Sequence, residues 1–112
     1  MYTVVETLAY LAHAERLFTP EERTAVIDRV ASDPECGVLI RGTGGIRKVR
    51  FAFGGRGKSG GARVIYFLAG EQLPIFLPTV FAKNEKSDLT PKERAKLADS
   101  VRDMIGGYRR RQ

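Results

Sequence analysis

Apolar and polar positions along the chain change period once. Across residues 6–18 (ETLAYLAHAERLF), Leu8, Leu11, Ala12, Glu15 and Phe18 fall near helical spacing, which predicts a first helix. A second start comes at Thr19-Pro20-Glu21-Glu22. Thr19 suits an N-cap, Pro20 the first helical position, and the two acids the positive helix end. That helix should run through Ala25, Val26, Arg29 and Val30 and stop near Asp33-Pro34. The two together predict an N-terminal helical hairpin.

Beyond residue 37 the period becomes two. In residues 46–53, Val49, Phe51 and Phe53 alternate with Lys48 and Arg50, so a strand would carry the cations on one face. Residues 63–68 (RVIYFL) and 75–81 (IFLPTVF) read as further strands, joined by a link short enough for a hairpin. Pro78 lacks an N–H and places its strand at an edge or a bulge. Thr90-Pro91-Lys92-Glu93 repeats the capping signature and opens a last helix through Leu97, Val101 and Ile105. Gly106-Gly107 should end it, leaving the tail YRRRQ. The order ααβββα predicts an α+β fold: a helical hairpin, a small twisted antiparallel β-sheet and a C-terminal helix. At 112 residues, positions 1–112 make a single domain.

Composition narrows the chemistry. No stretch approaches the ~20 apolar residues of a membrane span. The first seventeen residues lack a basic start, and Glu6, His13 and Glu15 break any apolar run, which argues against a signal peptide. The single Cys36 can form no internal disulfide, and with one histidine a zinc site is not expected. Neither a metal nor a cofactor is expected, and the setting is read as cytoplasmic.

Charge is the sharpest signal. From Cys36 to Gly70 the chain carries Arg41, Arg47, Lys48, Arg50, Arg56, Lys58 and Arg63 and no acid. The net charge of the whole protein is +6, so the rest is close to neutral. Ten of the twelve glycines lie in the same stretch. A glycine-rich, purely cationic segment points to a phosphate-rich partner. Two nucleotide-binding patterns fail on context. Residues 55–60 match G-x-G-x-x-G by letter, but a strand comes next where a helix is required to meet a pyrophosphate. Gly57-Lys58-Ser59 ends like a P-loop, yet Ala52 stands at the first glycine position and again no helix comes after it.

Three segments in this order, GTGGIRKVR at 42–50, GRGKSGGARVIY at 55–66 and KNEKSDLT at 83–90, resemble the HigB-like branch of the RelE/ParE superfamily. These are toxins of bacterial type II toxin–antitoxin modules. The resemblance implies a RelE-like, microbial ribonuclease-like fold and an mRNA interferase: a ribosome-dependent endonuclease that cuts A-site mRNA without a metal. Such cleavage needs a deprotonated 2′-hydroxyl, a stabilised phosphorane and a protonated leaving oxygen.

Carried over by position, the resemblance places Lys48, Arg50 and Arg63 in the catalytic cluster, with Arg50 and Arg63 on phosphate charge and Lys48 on proton transfer. Lys83, at the end of the last strand, takes the place of a further catalytic basic residue. Arg47, Arg56, Lys58, Asn84 and Lys86 are assigned to RNA contact. Thr90 stands roughly where the best-studied branch has a catalytic tyrosine, which leaves the general acid and base open. His13, on the acid-bearing first helix, and Tyr66, inside an apolar strand, are read as structural. The partners implied are the ribosome, mRNA and a cognate antitoxin, expected to be a small helix-turn-helix protein. It would either mask the basic face or exclude the toxin from the ribosome by bulk, and the branch favours the second mode. Two other classes remain: a ParE-like gyrase-inhibiting toxin, and an RNA-binding module without catalysis.

Overall fold

The computed structural model describes residues 2–52 and 61–110. Its elements are β1 (Val4–Glu6), α1 (Leu8–Leu17), α2 (Pro20–Ser32), β2 (Val38–Leu39), β3 (Ile46–Phe51), β4 (Ala62–Phe67), β5 (Ile75–Ala82) and α3 (Pro91–Arg110). The strands form one five-stranded sheet in the order β1-β5-β4-β3-β2.

The two N-terminal helices start where side chains can cap them. Thr7 Oγ1 accepts the Tyr10 N–H at 3.1 Å and donates to the Leu77 carbonyl at 2.8 Å, so one hydroxyl starts α1 and ties it to β5. Thr19 and Glu22 form the reciprocal capping box that the sequence suggests for α2. Tyr10, Ala14 and Leu17 of α1 and Val26 and Val30 of α2 pack with Val49, Val64, Tyr66, Leu77 and Val80 on one sheet face. The opposite face buries Ile46, Ile65, Phe67, Phe76 and Phe81, with Val101 of α3 and the half-buried Leu97, Met104, Ile105 and Tyr108 over them. Each face therefore has its own apolar cluster.

Four details refine the sequence expectation or differ from it. The sheet is mixed: residues 4–6, the last of them expected to begin a helix, form β1 and pair in parallel with residues 75–77 of β5. Val4 and Val5 are β-branched and favour the strand, and the Thr7 cap starts the helix only at Leu8. The sheet also gains β2, a two-residue edge strand on β3. Strand β5 lies between β1 and β4, and of the edge or bulge expected at Pro78 the irregularity is what forms. Register pairing with β1 ends at Leu77, and the β4 register slips between Ile65 and Phe67, so Pro78 has no paired partner on either side. Finally, α3 continues through Gly106-Gly107 to Arg110. The edge-to-face contact of Tyr108 on Phe76, 6.2 Å between ring centres, anchors its last turn, and Arg109 and Arg110 suit the negative helix end. These contacts offset the cost of helical glycine, about 1 kcal/mol each.

Two close backbone approaches shape the ends of the central strands. At Gly61, with φ of 55°, a Cβ would lie 2.4 Å from the Phe51 carbonyl oxygen. At Gly37 it would lie 2.7 Å from the Tyr66 ring and 2.8 Å from the Lys48 carbonyl oxygen. Both positions require glycine for β3 and β4 to lie as they do.

Candidate active site

The middle strands bring the sequence-selected cations together. In the β3–β4 ladder Arg50 is the direct partner of Arg63, and Lys48 is the partner of Ile65. Alternation puts Lys48, Arg50 and Arg63 on the sheet face that carries Ile46, Ile65 and Phe67, the α3 side. Directly paired residues have Cβ atoms ~4.5–5.5 Å apart, so the two arginine side chains leave the sheet side by side. On the far side of Arg63, β5 offers Phe81 as its register partner. Arg50 is exposed, and Lys48 and Arg63 are partly buried.

The segment after β5 folds back over this face. The Lys83 N–H donates to the Gly61 carbonyl at 2.9 Å and extends the β4–β5 ladder by one residue. Its ammonium donates to the Ser87 carbonyl at 2.6 Å. Lys86 pairs with Glu93 on the first turn of α3 and lies 5.8 Å from the centre of the Phe81 ring, a cation–π distance. Lys48 Nζ donates to Asp88 Oδ2 at 3.1 Å. The ammonium groups of Lys48, Lys83 and Lys86 thus all meet acceptors on residues 87–93. Asn84 is exposed on the same turn.

The acids of this segment respond to their partners. The Leu89 N–H, then the Lys48 ammonium, hold the Asp88 carboxyl below its usual range. Lys86, then the Thr90 N–H, do the same for Glu93. Thr90 and Glu93 form a second capping box, with Glu93 N to Thr90 Oγ1 at 3.1 Å and Thr90 N to Glu93 Oε1 at 2.9 Å. Thr90, which the resemblance sets opposite a catalytic tyrosine, serves in this chain as a helix cap.

Arg47 stands apart from the cluster. Its side chain is only 15% exposed and donates to the Gly37 carbonyl at 2.8 Å, with Glu35 3.6 Å away. It clamps the turn between α2 and β2. Arg56 and Lys58, like the glycine patterns at 55–60 and Phe53, lie outside the described residues. Tyr66 is fully buried: its hydroxyl donates to the Pro34 carbonyl at 2.6 Å and accepts the Gly37 N–H at 2.8 Å, and burial pushes its pKa up. Cys36 lies against the same hydroxyl, with Sγ 3.7 Å away.

Beside the cluster, a groove of about 620 Å³ runs between α1 and α3 over β5, and Phe81, Lys86 and His13 all line it. His13, distant in sequence, thus shares a groove with two residues of the cationic site. Sequence reasoning chose cations and one amide, Asn84, and passed over Asp88, Phe81 and Glu93. Asp88, the one acid between Glu85 and the Thr90 cap, was the available signal.

Comparison with known proteins gives two results. Residues 29–107, well over half of the chain, match a family model described as RelE toxin of the RelE/RelB toxin–antitoxin system. A solved structure of E. coli toxin RelE, an arginine-substituted mutant in the free state, superposes with a TM-score of 0.60. It is 20% identical over 85% of this chain and 95% of that one, a likeness of fold.

Proposed function

Because the chain belongs to the RelE toxin family, we propose that it is the toxin of a type II toxin–antitoxin module and acts as a ribosome-dependent mRNA endonuclease, within the HigB-like branch. The observation that carries this reading is the Arg50–Arg63 pair with Lys48 on one sheet face. A phosphodiester seated there meets two guanidinium groups, which can each donate two hydrogen bonds to the equatorial oxygens as the phosphorane forms. Lys48, two residues from Arg50 and ~6–7 Å along the strand, reaches the attacking or leaving oxygen and serves proton transfer. Lys83 and Lys86 flank the same face from the β5 side, with Lys86 held over the buried Phe81 ring. None of these steps draws on a metal.

In this reading the message is the substrate, the cytoplasm is the location, and the ribosome and a cognate antitoxin are the partners. Residues 6–35, with seven acids and three bases, suit an antitoxin surface of some basic character. A partner seated there would leave the cationic face open and exclude the toxin from the ribosome by bulk.

The test is induction of the chain without a partner, then mapping of mRNA 5′ ends. New cuts within translated regions are expected, and Arg63→Ala should abolish them while the protein remains folded by circular dichroism. Intact messages accompanied by trapped gyrase–DNA breaks would replace this reading with the gyrase-poisoning one. Full toxicity of a folded Arg63→Ala protein would refute the site.

A further inference from the structure

The proposed reaction uses only cations, yet a carboxylate stands against Lys48. Asp88 Oδ2 accepts from Lys48 Nζ at 3.1 Å, while Oδ1 accepts the N–H of Leu89 at 2.8 Å. Leu89 is buried in the apolar cluster beneath α3, and Thr90 caps that helix. The carboxylate is therefore fixed by its own backbone and by a buried neighbour. Lys48 reaches it on a flexible four-carbon arm from a strand forty residues earlier. The restraint runs from the anchored acid to the flexible ammonium. With Lys48 34% exposed and Asp88 53%, the bond lies where a substrate would meet it.

An acid beside an RNA site has an electrostatic disadvantage, since it repels the phosphates that the neighbouring arginines attract. Its contribution must come through geometry. We propose that Asp88 is a positioning residue that holds the Lys48 ammonium at the α3 side of the sheet face, so that Lys48 meets the phosphodiester gripped by Arg50 and Arg63 from a fixed direction. The catalytic part of this inference rests on the nuclease reading; the restraint on Lys48 does not.

Asp88→Asn tests it, because the amide oxygen can still accept from Leu89 while the charge is lost; Asp88→Ser, which also keeps an acceptor, serves if the amide variant does not fold. Three quantities are measured: the ¹⁵N signal of the Lys48 ammonium, single-turnover cleavage on programmed ribosomes, and affinity for a short non-cleavable RNA at low salt. In the native protein the Lys48 ammonium should be ordered, and in Asp88→Asn it should become as mobile as that of exposed Lys92. Cleavage should fall about 10²-fold, the cost of a misplaced reacting group. RNA affinity should rise by roughly five-fold as the repulsion is removed. In a Lys48→Met background, Asp88→Asn should no longer change cleavage.

An ammonium equally mobile in both proteins would overturn the proposal. So would unchanged cleavage with tighter binding, which makes Asp88 a plain electrostatic screen. An equal loss of cleavage with and without Lys48 would also overturn it, since Asp88 would then act on the substrate itself. If the native protein cleaves no message on the ribosome, the nuclease reading fails, and the Lys48 signal alone decides the restraint.

Discussion

Arg50 and Arg63 are direct cross-strand partners, two like charges facing each other on one side of the β3–β4 ladder. Such a pair opposes strand association, and a fold selected for stability alone would place threonine or an aliphatic residue there. Arg50→Thr should therefore raise stability to urea by about 0.2–1 kcal/mol. If Arg50 holds its proposed role on the developing phosphorane charge, the same change should lower the cleavage rate by about 10²–10³-fold. Urea titration and single-turnover cleavage on the same preparation check both signs. A loss of stability would show that the pair is not repulsive in its setting.

Tyr66 makes the opposite prediction. Its hydroxyl satisfies the Gly37 N–H and donates to Pro34, both on the connection between α2 and β2. Tyr66→Phe leaves buried backbone groups unpaired and should cost about 1–3 kcal/mol. Cleavage measured well below the melting temperature should stay within roughly two-fold of native, since the ring lies on the sheet face away from Lys48. A large loss of rate in the folded variant would show that the two faces communicate.

The acids that face the cations predict an acid-labile fold. Asp88 and Glu93 have carboxyl groups held below their ordinary values of 3.8 and 4.5. The unfolded chain thus binds protons more readily, so stability rises with pH through this window. The contribution is fully present above the unfolded values and is lost as pH falls through the lower folded ones. Melting temperatures should be flat above about pH 5 and decline below it. Asp88→Asn with Glu93→Gln should make that decline shallower. An unaltered decline would assign the acid sensitivity to other carboxyl groups.

Gly106 and Gly107 lie inside the last turns of α3. A Cβ at Gly107 meets nothing closer than 3.9 Å, and at Gly106 its nearest neighbour, at 3.2 Å, is the flexible end of Arg110. Alanine at each position should stabilise the protein by about 0.5–1 kcal/mol through a less costly ordering of the helix. Thermal unfolding of the single variants and their pair checks this. A lowered melting temperature would show that Arg110 cannot move aside.

Features that rest on local pattern were legible in the sequence. Thr19-Pro20 and Thr90-Pro91 announced their helices because capping is a contest among adjacent groups. The alternation of Lys48, Val49 and Arg50 set their faces because a strand has period two. Features that depend on distant partners were not legible. β1 exists because β5 offers it a parallel edge, seventy residues away, and no pattern within three residues can show that. The end of α3 runs past its glycines because Phe76 holds Tyr108 across the sheet face, beyond the reach of helix propensity. For the candidate site, the family resemblance singled out Lys48, Arg50 and Arg63 by position, whereas the contact of Asp88 with Lys48 depends on the chain folding back over them.

The slip at Pro78 reaches further than its own strand. Before it, Ile75 and Leu77 point into the layer of α1 and α2; after it, Val80 and Ala82 do, so odd positions give way to even ones. With an unbroken ladder Phe81 would turn toward α1, and Val80 would stand beside Arg63. One unpairable residue thus works as a phase shifter for the second half of the strand, deciding which side chain the cationic face receives. Pro78→Val, or deletion of the residue, should be read as an edit to the active face as much as to the sheet.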